Sequence, residues 1–176
     1  MSETRFGKKG SARSFLRVRT SARLVACSVA CVLGFSGIAA GTPSAGFSSA
    51  TIGVATFDEI SVGNAGEAKV KIKTKGDVDV HTLVNTFIPG GYIGWHMHPG
   101  PSLVTVRAGT ATLYSGDDPT CTPQVFPAGT GFIDSGDDVH NVRNEGNVDL
   151  VLVVISIVPE GAVRRIDAPS PGNCPF

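Results

Sequence analysis

The chain has 176 residues and equal numbers of basic and acidic side chains, fifteen of each. Seven of the basic residues lie in the first 40 positions, so residues 41–176 carry eight basic and fourteen acidic side chains, a formal charge of −6. An acidic surface of this kind argues against nucleic acid and anionic membranes as partners.

The first 40 residues have the pattern of an export signal. Basic residues dominate up to Arg23, and the apolar run Leu24–Ala40 ends in small residues that suit cleavage. We therefore predict a signal peptide over residues 1–40 and an exported protein, either secreted or held in the periplasm or cell envelope, with no membrane contact after cleavage. The alternative is that the apolar run is retained as a membrane anchor.

Residues 41–50 offer little apolar surface and are predicted to be a flexible lead-in, which leaves residues 51–176 as a single domain. Within this domain, β-branched residues dominate short runs that are separated by Gly, Pro, Asp and Asn. No window of ten residues or more has apolar residues at helical spacing. The predicted strands are Thr51–Phe57, Ala68–Lys73, Val78–Phe87, Tyr92–His98, Leu103–Arg107, Thr110–Tyr114, Gly131–Ile133, Val139–Arg143 and Leu150–Val158. This pattern indicates an all-β barrel or sandwich.

Cys121 and Cys174 are the only cysteines of residues 41–176. In an exported protein an isolated pair most simply forms one disulfide, which here ties the C-terminal tail to a mid-chain loop. The chain-entropy model assigns such a bond about 4 kcal/mol.

Two histidines stand two positions apart in one predicted strand. Alternate residues of a strand share a face, so His96 and His98 project together with Cβ atoms roughly 7 Å apart. Two imidazoles at this spacing can bind the same ion. Trp95 and Met97 must then face away from the histidines, and an apolar patch with no neighbouring segment to cover it suggests a partner barrel, that is, a homodimer.

The stretch around these histidines resembles the first motif of the cupins, and a later stretch resembles the second. Gly90, His96, His98 and Gly109 match the first motif, in which Ser102 replaces a glutamate, while His140 and Asn144 match the second, in which Asp134-Ser135-Gly136 replaces Pro-x-Gly. The resemblance covers about residues 70–158 and implies a double-stranded β-helix, a jelly-roll-like barrel of the single-domain, cupin_2-like kind.

The same resemblance implies that His96, His98 and His140 are metal ligands and that Ser102 occupies the place of a vacated fourth ligand. Imidazole suits several divalent ions, so Fe, Zn, Mn, Ni and Cu all stay open as the single bound ion. The fourth histidine, His81, lies outside both motifs and is expected to be structural or on the surface.

The replacement of glutamate by Ser102 affects which small molecule would bind at the site as ligand or substrate. Three neutral imidazoles leave the ion its full charge, which favours an anionic or chelating ligand, and the Ser102 hydroxyl could hydrogen-bond a water on the ion. Strand alternation places aliphatic walls around such a ligand, formed by Val104, Val106 and Val142. The acidic residues nearest His140 in the sequence, Asp134, Asp137 and Asp138, are interpreted as turn residues, so we expect no general base beyond the histidines.

Two hypotheses on function stay open, and with them the question whether the protein is an enzyme. The first is an exported oxygenase that binds a small chelating anion and O₂ at a three-histidine Fe(II) centre. The second is a non-catalytic module that captures a small ligand or a metal ion without turnover.

Overall fold

The structure is a computed structural model that describes residues 41–64 and 66–176, so the predicted signal peptide lies outside the described residues. These residues form twelve strands and no helix. None of them therefore forms a helix of the length and apolarity needed to cross a membrane. The strands are β1 (Ala45–Phe57), β2 (Ser61–Gly63), β3 (Lys71–Lys73), β4 (Val78–Tyr92), β5 (His96–Met97), β6 (Ser102–Ala108), β7 (Thr110–Ser115), β8 (Gln124–Pro127), β9 (Gly131–Asp134), β10 (His140–Arg143), β11 (Leu150–Pro159) and β12 (Ile166–Asp167).

Ten strands form one antiparallel sheet that folds over on itself, and β2 and β3 form a separate hairpin. One layer has the order β1-β4-β11-β6-β9, and the other has the order β12-β5-β10-β7-β8. The layers are joined where β10 pairs with the end of β4, at Arg143 and Tyr92. The predicted all-β, jelly-roll-like barrel is confirmed.

Strand alternation places the core between the two layers. Along β11 every second residue from Leu150 to Val158 is buried. The register pairs Leu152 with Val106 of β6, and Val154 with Val104, so successive rows of apolar side chains cross the inner face. The next row, at Ser156, is polar and ends the main apolar cluster, although the following inward residue, Val158, is again buried.

Residues 45–50 differ from the expectation of a flexible lead-in. They belong to β1 and pair with β4, for example Ala50 with Val84. The composition misled because an added edge strand is held by backbone hydrogen bonds, which need few apolar side chains. Phe47 supplies the main side-chain anchor, since its ring lies 4.9 Å from that of Phe87.

The expectation of an uncovered patch at Trp95 is wrong. Trp95 is only 1% exposed because the C-terminal tail covers it. Phe176 stacks on its indole with ring centroids 6.4 Å apart, and the Cys121–Cys174 disulfide, with Cα atoms 5.2 Å apart, fixes the tail. A segment distant in sequence therefore covers this face, and the argument that it binds a second copy no longer holds.

Because the disulfide holds the tail that covers Trp95, we expect the bond to limit access to the protein's single tryptophan. We expect the double variant Cys121→Ser/Cys174→Ser to lose about 2–4 kcal/mol of unfolding free energy and to expose Trp95 to acrylamide quenching under native conditions. Metal binding should be unchanged, because neither cysteine is among the residues that line the cavity around His96, His98 and His140. Unchanged quenching would show that the tail stays in place without the bond.

Candidate metal centre

Three histidines meet at the polar end of the barrel. His96 and His140 are direct partners across β5 and β10, and His98 follows β5 by one residue. All three are at most 5% exposed. One ring nitrogen from each lies within 4.8 Å of the others. The structure therefore brings together the three predicted ligands in an arrangement that could hold a metal ion.

Backbone carbonyls orient all three rings. A carbonyl oxygen can only accept a hydrogen bond, so the ring nitrogen that faces it, Nδ1, must carry the proton. Nε2 is then left with a lone pair, which is the form that binds a metal. The carbonyls are those of Gly94 for His96 (2.8 Å), Arg164 for His98 (2.6 Å) and Asp138 for His140 (3.0 Å).

Burial keeps two of these rings neutral. Loss of solvent lowers the pKa of His96 far below its ordinary value, and the neighbouring His140 and His98 lower it further. Burial also lowers the pKa of His98, although Asp134 and the Arg164 carbonyl act in the opposite direction. Near neutral pH these side chains are therefore electron-pair donors without charge.

Asp134 is a residue of the site that the sequence analysis assigned to a turn. It is 6% exposed, and its Oδ2 lies 3.3 Å from Nε2 of His98 and 3.4 Å from Nε2 of His140. The turn assignment accounts for one oxygen only, since Oδ1 accepts a hydrogen bond from the Gly136 amide at 2.9 Å. The alternation of residues along a strand could have predicted this position. Phe132 and Asp134 are two apart in β9, so both side chains lie on its inward face.

Ser102 lies on the floor of the same cavity and is 1% exposed. Its hydroxyl is 2.8 Å from that of Ser156 on β11, so the two side chains hydrogen-bond each other. Across β6 and β9 the register pairs Ser102 with Asp134, and across β11 and β4 it pairs Ser156 with His81. A polar row thus crosses four strands, with the carboxylate one strand away from the position where the cupin motif has glutamate.

The cavity enclosed by these groups is small, at about 30 Å³, which is room for one or two water molecules. Val104 and Val142 line it as expected, whereas Val106 lies in the core and does not line it. Two lining residues were not foreseen. Asn85 is 5% exposed and its Oδ1 has no hydrogen-bond partner, and Arg164 lies near enough to Asp134 for each charge to affect the other.

The chain resembles a known protein family over part of its length. The family model described as "Cupin domain" matches residues 83–156, a stretch that contains all three histidines, Ser102 and Asp134. No curated protein matches the sequence.

Solved structures that resemble it include three bacterial proteins. An uncharacterised protein with a double-stranded β-helix domain from Klebsiella pneumoniae is 24% identical over 51% of this chain and 75% of its own, with a TM-score of 0.43. A cupin domain from Bordetella pertussis is 26% identical over 44% of this chain and 80% of its own, with a TM-score of 0.39. A predicted oxalate decarboxylase from Thermotoga maritima is 19% identical over 48% of this chain and 83% of its own, with a TM-score of 0.38.

The hydrogen bond between Ser102 and Ser156 predicts that Ser102 stabilises the packing of β6 against β11 and does not bind metal. Ser102→Ala should leave metal affinity nearly unchanged, because a neutral hydroxyl is a weak ligand. It should cost about 1–3 kcal/mol of unfolding free energy, because the Ser156 hydroxyl loses its buried partner. Calorimetric metal titration and chemical denaturation measure the two effects.

The matched control is Ser156→Ala, which removes the other half of the same bond. The two variants and the double variant should show strong coupling in stability and none in metal affinity. Loss of metal binding in Ser102→Ala alone would identify the serine as a ligand.

Proposed function

We propose that this chain, whose residues 83–156 match the cupin domain model, is an exported, metal-dependent oxygenase of the cupin superfamily. His96, His98 and His140 hold one divalent ion, and a small chelating anion is the substrate. A redox-active ion such as Fe(II), held by the three imidazoles with its other coordination positions open to substrate and O₂, would supply the chemistry that O₂ requires.

The observation that carries this proposal is the convergence of the three imidazoles. Because each Nδ1 donates to a carbonyl, the Nε2 lone pairs of His96, His98 and His140 face one region of a buried cavity. Lone pairs crowded together in this way, away from water, repel one another unless a cation or a proton lies between them. Neutral imidazoles are good ligands for the first-row divalent ions, with metal–nitrogen distances of about 2.0–2.1 Å.

The other cavity residues favour a small anion as substrate. The Arg164 side chain lines the cavity and contributes positive charge beside the histidines, which attracts a carboxylate or enolate group. Asn85 also lines the cavity and offers an unpaired Oδ1, which can accept a hydrogen bond from the substrate. The aliphatic Val104 and Val142 give the same cavity apolar walls.

Metal analysis of histidine variants tests the first half of the proposal. We expect about one divalent ion per chain, lost in each of His96→Ala, His98→Ala and His140→Ala, because removing one of three ligands leaves too few to hold the ion. His81→Ala is the matched control: it deletes the remaining histidine, which does not line the cavity, and should keep the ion. Full occupancy in any two of the three cluster variants would contradict the site.

Oxygen consumption separates the enzyme from a binding module. Metal-loaded protein should take up O₂ when supplied with small chelating anions, and the His140→Ala variant should not. Binding of such an anion without O₂ uptake, for every metal tested, would instead support the non-catalytic module.

Arg164 should govern anion binding without governing the metal. Arg164→Gln keeps the backbone carbonyl that orients His98 and removes only the charge, so metal content should stay the same while affinity for a small anion falls about tenfold. Arg107→Gln, on the exposed face of β6, is the control for a charge lost elsewhere. Calorimetric titration with acetate or oxalate into metal-loaded protein measures the effect; equal affinities in both variants would exclude Arg164 as the anion contact.

A further inference from the structure

We propose that Asp134 is a fourth protein ligand of the metal and takes over, from the neighbouring strand, the role of the glutamate that Ser102 replaces. The inference rests on the proposed three-histidine site and adds a carboxylate to it. It assigns a metal-binding role to a residue whose place in the sequence indicated only a turn.

The distances around Asp134 fit ligands of one ion better than hydrogen bonds. Its Oδ2 lies 3.3 Å from Nε2 of His98 and 3.4 Å from Nε2 of His140. A ring nitrogen without a proton cannot donate to a carboxylate, and in the neutral rings that the Nδ1 bonds define, Nε2 has none. Two ligand atoms that each lie about 2.0–2.2 Å from one ion stand roughly 2.8–3.6 Å apart, from octahedral to tetrahedral angles, so a fourth protein ligand is compatible with an ion that keeps positions open for substrate and O₂. The oxygen therefore lies at ligand-to-ligand distance from two of the three nitrogens, and the three nitrogens, which lie within 4.8 Å of one another, would draw closer together around an ion.

The turn after β9 fixes the carboxylate in this position. The Gly136 amide donates to Oδ1, which leaves Oδ2 directed at the imidazoles. The Gly136 carbonyl in turn accepts a hydrogen bond from the His98 amide at 2.9 Å. One residue therefore holds the backbone of a histidine and the side chain of Asp134 together. Only glycine suits this position, because its φ is +104° and a Cβ would lie 2.6 Å from the Gly100 carbonyl oxygen.

The negative charge of the buried Asp134 carboxylate is a second reason to place a metal ion beside it. A carboxylate that is 6% exposed and faces two neutral imidazoles is costly to bury unless a cation lies beside it. Arg164 contributes some positive charge from one side. A divalent ion among Asp134, His98 and His140 would compensate the carboxylate directly. With Asp134 as a ligand the centre would have a net charge of +1, instead of the +2 expected for three neutral imidazoles alone.

The test compares Asp134→Asn with Asp137→Asn in otherwise intact protein. Asp137 lies in the same turn but is exposed, so its variant loses the same charge without touching the cavity. Zn²⁺ affinity, measured by competition with a chelator, should fall at least about tenfold in Asp134→Asn and stay at the wild-type value in Asp137→Asn. The visible spectrum of the Co²⁺-loaded protein should change in Asp134→Asn only, because that spectrum depends on the ligand set.

The melting temperature of the metal-free protein distinguishes a ligand from a structural residue. Asparagine keeps the acceptor for Gly136 and removes the charge facing the imidazoles, so metal-free Asp134→Asn should melt at or above the wild-type temperature while the rise on adding Zn²⁺ shrinks. Lower stability without metal, together with an unchanged Co²⁺ spectrum, would overturn the assignment.

The wild-type protein separates this proposal from the one on which it rests. If wild type binds no Zn²⁺ or Co²⁺, the three-histidine site itself fails, and Asp134 with it. If wild type binds and Asp134→Asn binds equally well, the histidine site stands and only the role of Asp134 is overturned.

Discussion

Hydrogen bonds from three imidazole Nδ1 groups to backbone carbonyls are the interaction on which the site depends. They fix each ring's tautomer and direction, and they come from three separate parts of the chain: Gly94 before β5, Asp138 before β10, and Arg164 after β11. The last of these links the site to the C-terminal segment. That segment orients His98, pairs β12 with β5, and then continues as the disulfide-bonded tail that covers Trp95. The outer face of β5 and its inner, metal-directed face are thus stabilised by one continuous stretch of chain.

Different rows of the barrel interior contain the apolar core and the candidate metal site. Apolar rows such as Leu152 with Val106 form the core. The polar row of Ser156, Ser102 and Asp134 lies opposite the histidines of the facing layer. The two hydroxyls satisfy each other, so the carboxylate and the imidazoles remain as the groups able to bind an ion. Burial strengthens the binding of a cation and also makes the empty cluster unfavourable, so we expect a bound ion to raise the stability of the fold.

Much of this was predictable from the sequence, for identifiable reasons. His96 and His98 share a face through the period of two in a strand, and β-branched runs between turn residues gave the all-β class. Asp134 was missed because its neighbours Ser135 and Gly136 read as a turn, and the register that places it opposite Ser102 depends on two strands distant in sequence. The cover on Trp95 and the pairing of residues 45–50 were missed for the same reason: both are long-range contacts, which local composition does not encode.

The most direct test of the account is anomalous diffraction from crystals of the protein loaded with Zn²⁺. We expect one strong peak within about 2.0–2.2 Å of Nε2 of His96, His98 and His140, with each Nδ1 still bonded to its carbonyl. A zinc ion bound through Nδ1, or zinc found only outside this cavity, would contradict the claim that the carbonyl-oriented imidazoles form the metal site.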